Sequence, residues 1–226
     1  MSGDADAGEA AGQADAPTEA AALNERGRRS PDVVWHAGRL TTEHRAAALG
    51  GRGATLWFTG LPASGKSTVA AALEAELVAR GRPAYLLDGD NLRHGLNGDL
   101  GFSPEDRVEN IRRTAEVARL FADAGVVALV SLVSPYAADR ALARARHAEG
   151  SLPFLEIWVS TSVEECERRD PKGLYARARR GELPNLTGVG APYEAPESPE
   201  VEVTGDEPVE QAVERLVRAL EAVGGG

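Results

Sequence analysis

Two stretches of this chain hold residue types that could do chemistry. The first is Gly60-Leu61-Pro62-Ala63-Ser64-Gly65-Lys66-Ser67, followed by Thr68. Its spacing is G-x-x-x-x-G-K-[ST]. Glycines let the backbone wrap closely, so that consecutive amide N–H groups point at phosphate oxygens, and the N-terminus of a following helix adds partial positive charge. Lys66 then reaches the β- and γ-phosphates of a nucleotide, and the Ser67 hydroxyl ligates Mg²⁺. An ordinary glycine turn would need neither the lysine nor the serine. The loop therefore implies nucleotide binding and phosphoryl transfer, but it does not name the acceptor. A guanine-reading motif of the N-K-x-D kind is absent, which argues against a GTPase-type switch.

The second stretch is Asp88-Gly89-Asp90-Asn91, with Arg93 and His94 close behind. Two carboxylates flank a glycine. One could hold Mg²⁺, directly or through water, and the other could orient or deprotonate an acceptor hydroxyl. A polar turn is the plain alternative, since Asp-Gly is common in turns. Arg107 and Asn110 are three residues apart, so on a helix they share a face. A cluster of Arg93, Arg107 and Arg112 or Arg113 would suit an anionic acceptor. A solvated helix face laced with salt bridges is the competing reading of those arginines.

These residues need elements to position them. Ala54 to Thr59 reads as a strand directly before the phosphate loop, and Ser67 to Arg80 as a helix directly after it. Ala84 to Asp88 reads as a second strand ending at the carboxylates. Pro104 to Ala124 reads as a long helix with Ser103 as N-cap and Gly125 beyond its end. Val126 to Val133 is almost wholly apolar, as a strand covered on both faces should be. Residues 136 to 149 read as a helix, 154 to 159 as a strand, 201 to 203 as a short strand and 209 to 223 as a closing helix. Strands alternating with helices predict a parallel sheet covered on both faces. Ligands of such sheets bind beyond the carboxyl ends of the strands, which is where both motifs fall.

Composition sets the limits. With 226 residues and 42% apolar content the chain can bury a sizeable core. A net charge of -10 argues against a nucleic-acid binder, which needs clustered cations, but not against a small anionic substrate. The single cysteine, Cys166, forbids an intrachain disulfide and fits a reducing cytosol; it reads as a small half-buried residue rather than a nucleophile. No apolar run reaches membrane-spanning length, and the N-terminus lacks the features of a signal peptide. A soluble, cytoplasmic protein is expected. Residues 1 to 30, rich in Ala, Gly, Asp and Glu, are expected to be disordered. Residues 31 to 53, with Trp35 and a helix start at Thr41-Thr42-Glu43-His44-Arg45, read as an ordered arm leading into a domain over 54 to 226.

Together these residues resemble the adenylylsulfate kinase family. The resemblance is carried by Leu56 to Leu61 with the loop, by Leu86 to Asn97, by Asp99-Leu100-Gly101-Phe102-Ser103 and by Asp106 to Arg113. Ser134-Pro135-Tyr136, Glu165 to Tyr175, Pro192 to Pro196 and Val34-Trp35-His36 extend it over roughly residues 32 to 224. It implies a P-loop NTPase-like α/β fold, three-layered α/β/α, with a mostly parallel sheet and a helical and loop lid at about 168 to 197. It implies transfer of the ATP γ-phosphoryl to the 3′-hydroxyl of adenylyl sulfate, with Mg²⁺ as cofactor. Residues 60 to 68 become the ATP-binding set. Ser67 and Asp88 become the metal ligands, and Asp90 the carboxylate nearest the 3′-hydroxyl.

Carried over in the same way, Arg93, Arg107 and Asn110 hold the phosphosulfate and ribose, Phe102 stacks on the adenine, and Val133 and Ser134 line the acceptor site. Asn91, Leu186 and Thr187 complete that site, and Lys172 belongs to the lid. Lys66, Asp88, Asp90 and Ser134 form the expected catalytic set. A phosphoserine intermediate has been assigned to the family's equivalent of Ser134, yet direct in-line transfer accounts for the residues present, so Ser134 is read as an acceptor-site residue. The family usually has Phe-Thr-Gly where this chain has Leu186-Thr187-Gly188, and often a larger polar or basic residue at Ala137. The resemblance also implies a homodimer supplied by a separate ATP sulfurylase.

Overall fold

Ala54–Thr59 is buried at all six positions, and so is every residue of Val127–Ser131. Strands this apolar belong in the middle of a sheet covered on both sides. The computed structural model of the protein describes residue 36 and residues 38–224; the tail at 1–30 and Trp35 lie outside these. Contacts divide the chain into Met1–Arg39 and Leu40–Gly226, and the second unit carries all that follows.

Its elements in order are α1 (Thr42–Leu49), β1 (Ala54–Thr59), α2 (Lys66–Ala79), β2 (Ala84–Asp88), α3 (Gly89–Leu92), α4 (Pro104–Asp123) and β3 (Val127–Ser131). They continue with α5 (Ala137–Ala148), β4 (Phe154–Val159), α6 (Val163–Arg169), α7 (Leu174–Arg179), β5 (Val201–Val203) and α8 (Val209–Gly224). The strands form one sheet in the order β2-β3-β1-β4-β5, with every pairing parallel. This is the sheet expected from the alternating pattern. β3 ends two residues short of Val133, because the chain turns away through Ser134 at φ 38°.

Alternation along the strands sorts the core into two layers. Leu56 and Phe58 face α2 and α8, where Val69, Leu73, Leu77, Leu216 and Leu220 are buried. Trp57, Leu87 and Val130 face α4 and α5, meeting Ile111, Ala115, Ala118 and Ala143. Helices therefore cover both faces, giving three layers. Ser103 caps α4 by accepting from the Asp106 amide at 3.1 Å, with Pro104 in its first turn. α1 forms where the arm was expected to turn helical. It is tied to the end of α4 by Arg45 and Thr42, both bonded to Asp123. α3 and α7 were not anticipated; at four and six residues they are too short for an apolar period to show. No helix among the described residues is long and apolar enough to cross a membrane.

Candidate active site

The carboxyl ends of β1, β2 and β3 open into a cavity of about 1100 Å³. Register explains what meets there. Asp88 is the last residue of β2 and lies opposite Ser131, the last of β3; Phe58 of β1 lies opposite the same serine. The loop after β1 then delivers α2 across these strand ends. As a result the Ser67 hydroxyl donates to Asp88 Oδ2 at 2.7 Å and shares a hydrogen bond of 3.1 Å with Ser131 Oγ.

Backbone geometry shapes the loop. Gly60 has φ 148° and Gly65 φ 105°; a Cβ on Gly60 would come within 2.6 Å of the Val159 carbonyl oxygen. Ala63, at φ 62°, shows that the curl is imposed on a non-glycine residue as well. Pro62, Ala63, Gly65, Lys66, Ser67 and Thr68 line the cavity. Gly60, Leu61 and Ser64 lie behind that surface. Leu61 packs on Cys166 and Tyr175, and Ser64 gives its carbonyl to Thr161 Oγ1 at 2.7 Å.

Lys66 is 7% exposed, with its ammonium donating to the Leu61 carbonyl at 2.7 Å. Burial pushes its pKa down to about 8, against an upward pull from nearby groups that include Asp88 and Asp90. Cys166 is fully buried beneath the loop rather than half-buried, and burial raises its thiol pKa. That environment suits a packing residue and not a thiolate nucleophile.

Asp88 also caps α3, accepting from the Asp90 amide at 3.0 Å. One turn of α3 brings Asp90 and Arg93 to the cavity together. Asn91, one residue on, is exposed and outside the cavity lining; a step of about 100° per residue turns it away. The expectation that it lines the acceptor site does not match this placement. Asp90 is ion-paired with Lys172, which comes from the segment between α6 and α7.

The far wall is made of side chains. The Arg93 guanidinium lies 4.2 Å from the Phe102 ring centroid and donates to the Leu100 and Gly101 carbonyls. Burial, and next the charge of Arg107, lowers the Arg93 pKa. Phe102 is 67% exposed. Arg107 donates to the Phe102 carbonyl, to Thr187 Oγ1 at 2.8 Å and to the Asn185 carbonyl at 2.8 Å, so it joins α4 to the segment that follows α7. Asn110 is buried at the cavity wall, where Leu186 and Thr187 also contribute. Arg112 and Arg113 do not join this group. Both bond Glu109, and Arg113 also grips Asp99, so the salt-bridge reading holds for them.

Val133 and Ser134 lie at the cavity floor. The Ser134 hydroxyl is buried and accepts from the Trp57 indole N–H at 3.1 Å. Its carbonyl is held by Arg140 at 2.8 Å and by Thr59 Oγ1 at 3.3 Å. Ser131 and Arg169 are among the cavity residues missed in the sequence. Ser131 is a lone hydroxyl at the end of an apolar strand, which could have flagged it. Arg169 stands beside the loop, bonded to Glu165, the Ser64 carbonyl and the Gly205 carbonyl; it sits inside the Glu165 to Tyr175 stretch but carries no spacing signal of its own.

Comparison with known proteins gives the family. The family model for adenylylsulphate kinase matches residues 52–204. The adenylyl-sulfate kinase of Staphylococcus epidermidis is 52% identical over 192 residues, spanning 84% of this chain and 96% of that protein. That of Klebsiella pneumoniae is 54% identical over 190 residues, with 84% and 94% covered. Among solved structures, the Mycobacterium tuberculosis APS kinase CysC in complex with AMPPNP and APS has a TM-score of 0.74 at 51% identity, covering 76% of this chain and 99% of that one. With the family model over the sheet and the site, and relatives this similar along most of their length, the chain belongs to the adenylylsulphate kinase family.

Proposed function

We infer that the protein transfers the γ-phosphoryl group of ATP to the 3′-hydroxyl of adenylyl sulfate, releasing ADP and 3′-phosphoadenylyl sulfate in sulfate activation. The observation that carries this is one cavity with two unlike walls. The phosphate loop with Ser67, Asp88 and Ser131 forms one, and Arg93, Phe102, Arg107 and Asn110 form the other, with Asp90 between them.

The loop amides and Lys66 would bind the triphosphate. Because Lys66 is buried, its charge acts at low effective dielectric and is worth more than it would be in water. Ser67 Oγ lies within hydrogen-bond distance of both Asp88 Oδ2 and Ser131 Oγ, hard oxygens of the kind that fit Mg²⁺. Among the described residues no cluster of three or more His, Cys, Asp or Glu could hold a metal. That agrees with a cation held by one or two protein oxygens together with phosphates. Ser67 and Asp88 would hold it, and when bound it would neutralise charge on the β- and γ-oxygens. Asp90 would accept the proton of the 3′-hydroxyl, and Lys172, its ion-pair partner, would exchange toward the bound anions.

Phe102 offers a face for adenine, and Arg93 and Arg107 positive charge for the phosphosulfate. The bonding of Ser134 supports a positioning role. Its hydroxyl is tied to Trp57, and the backbone on either side shapes the floor. The proposal extends to a cytoplasmic homodimer that receives adenylyl sulfate from a separate ATP sulfurylase.

A coupled ADP-release assay tests the central claim, with adenylyl sulfate run beside adenosine monophosphate and other nucleoside acceptors. Turnover confined to adenylyl sulfate is expected. Turnover with another acceptor alone, or with none, overturns it.

A further inference from the structure

Behind the acceptor wall lies a buried polar chain in which Asn110 lines the cavity and Asn97 and Thr114 do not. Asn97 and Thr114 are fully buried, and Asn110 is 5% exposed. A threonine hydroxyl has one proton to give. Thr114 gives it to the Asn110 backbone carbonyl at 2.8 Å, so Oγ1 has only lone pairs left for other neighbours. The nearest is the Asn97 amide, whose Nδ2 lies 3.5 Å from Thr114 Oγ1 and 2.9 Å from Asn110 Oδ1.

Turning the Asn97 amide over would set Oδ1 against those lone pairs, so its NH₂ side must face Thr114 and Asn110. Asn110 Oδ1 is then committed as an acceptor in the interior. The Asn110 NH₂ group is left for the cavity that this residue lines. Asn97 Oδ1 finds no partner among the described residues, so its own satisfaction does not explain the orientation. A buried polar atom without a partner costs stability, so its presence calls for a compensating reason. Asn97 is also anchored at both ends, its amide to the Leu92 carbonyl at 2.9 Å and its carbonyl to the Leu100 amide at 3.1 Å. It thus binds the loop bearing Arg93 and Phe102 to the helix bearing Arg107 and Asn110.

We propose that Asn97 and Thr114 are positioning residues that fix the polarity of Asn110, so that it presents an N–H donor and not a carbonyl oxygen to the anionic acceptor. The proposal rests on the acceptor placement given under the proposed function. With the relay broken, Asn110 Oδ1 is no longer held inward, and Asn110 turns its carbonyl to the cavity and withdraws the donor from the anion.

The test is steady-state kinetics on the full chain with Thr114→Val, which keeps shape and removes the hydroxyl, beside Thr114→Ser, which restores it. The valine variant is expected to raise KM for adenylyl sulfate about tenfold, the loss of one hydrogen bond to a charged group, with kcat and KM for ATP within about twofold; the serine variant should return to the parent value. Asn97→Ala should show the same selective rise. An unchanged acceptor KM in a folded valine variant, or acceptor and ATP KM rising together, overturns the proposal; so does loss of folding in both Thr114→Val and Asn97→Ala, which assigns the chain to stability alone. Asn110→Ala is the control. If it leaves acceptor KM unmoved, the acceptor placement fails instead of the relay.

Discussion

The phosphate loop and the acceptor wall face one another across a single cavity, yet the first is backbone held by the sheet and the second is side chains held by each other. Lys66 and Ser64 are 7% and 2% exposed, and the loop's curve is set by Gly60, Ala63 and Gly65 before any ligand arrives. Across the cavity, Phe102 is 67% exposed, and each guanidinium nitrogen of Arg107 already makes one hydrogen bond, to Phe102, Thr187 or Asn185. The donor side is therefore preorganised and pays little on binding. On the proposed placement, the acceptor side would exchange internal contacts for substrate contacts. Arg107 bonds Thr187 and Asn185, so on the proposed acceptor placement a substrate that takes up Arg107 would also release that segment.

The largest test of this division falls on Asp90, which sits between the walls. Asp90→Asn keeps the size and removes the proton acceptor. Turnover should fall by about 10²–10⁴, the range for losing a general base, while the ATP Kd stays within about twofold, because no loop atom bonds Asp90. Equilibrium ATP titration beside single-turnover kinetics reads both. Loss of ATP binding would move Asp90 to the metal side and erase the boundary between the halves.

The same division decides what could be read from the sequence. The loop was legible in full because its chemistry lies in eight contiguous residues after a strand of six buried ones. The sheet was legible because its central strands are apolar on both faces. Arg107 and Asn110 were legible as a pair, being one helical turn apart. Arg112 and Arg113 were not separable from them, since their fate depends on Glu109 and on Asp99, fourteen residues from Arg113. Asn91 was expected in the acceptor site beside Asp90, but one step along the helix leaves it exposed and outside the cavity lining. Arg169 reaches the loop only through tertiary packing, and the polarity of Asn110 depends on Asn97, thirteen residues away. Side-chain walls are written in distant pairs; backbone walls are written locally.

A second test uses pH and touches only the preorganised side. Burial lowers the Lys66 pKa to about 8 from its ordinary value of 10.5. The sign follows from linkage. The fold disfavours the ammonium, so the destabilisation is fully present below pH 8 and fades as pH rises toward 10.5. Phosphate binding needs the charged form, whose population falls above pH 8. With acceptor saturating, kcat/KM for ATP should drop about tenfold per pH unit above that point, since this parameter reports the free enzyme. The kcat profile should break at higher pH, because bound triphosphate restores the ammonium. Coincident breaks would mean that the loop lysine is not what titrates.

The smallest effect sharpens the comparison from the other wall. Leu186 lines the cavity but also packs with Leu61, Cys166 and Tyr175 beneath the phosphate loop, so it belongs to both halves. Leu186→Phe would add an aromatic face for the acceptor adenine, worth about 1 kcal/mol, or roughly a fivefold lower KM for adenylyl sulfate. KM for ATP should not move, because the loop backbone is set by its glycines and by the sheet. A fall in acceptor KM alone would place residue 186 functionally with Phe102. A rise in ATP KM would show the ring overpacking the cluster under the loop, and would mean that the acceptor wall can deform the phosphate loop.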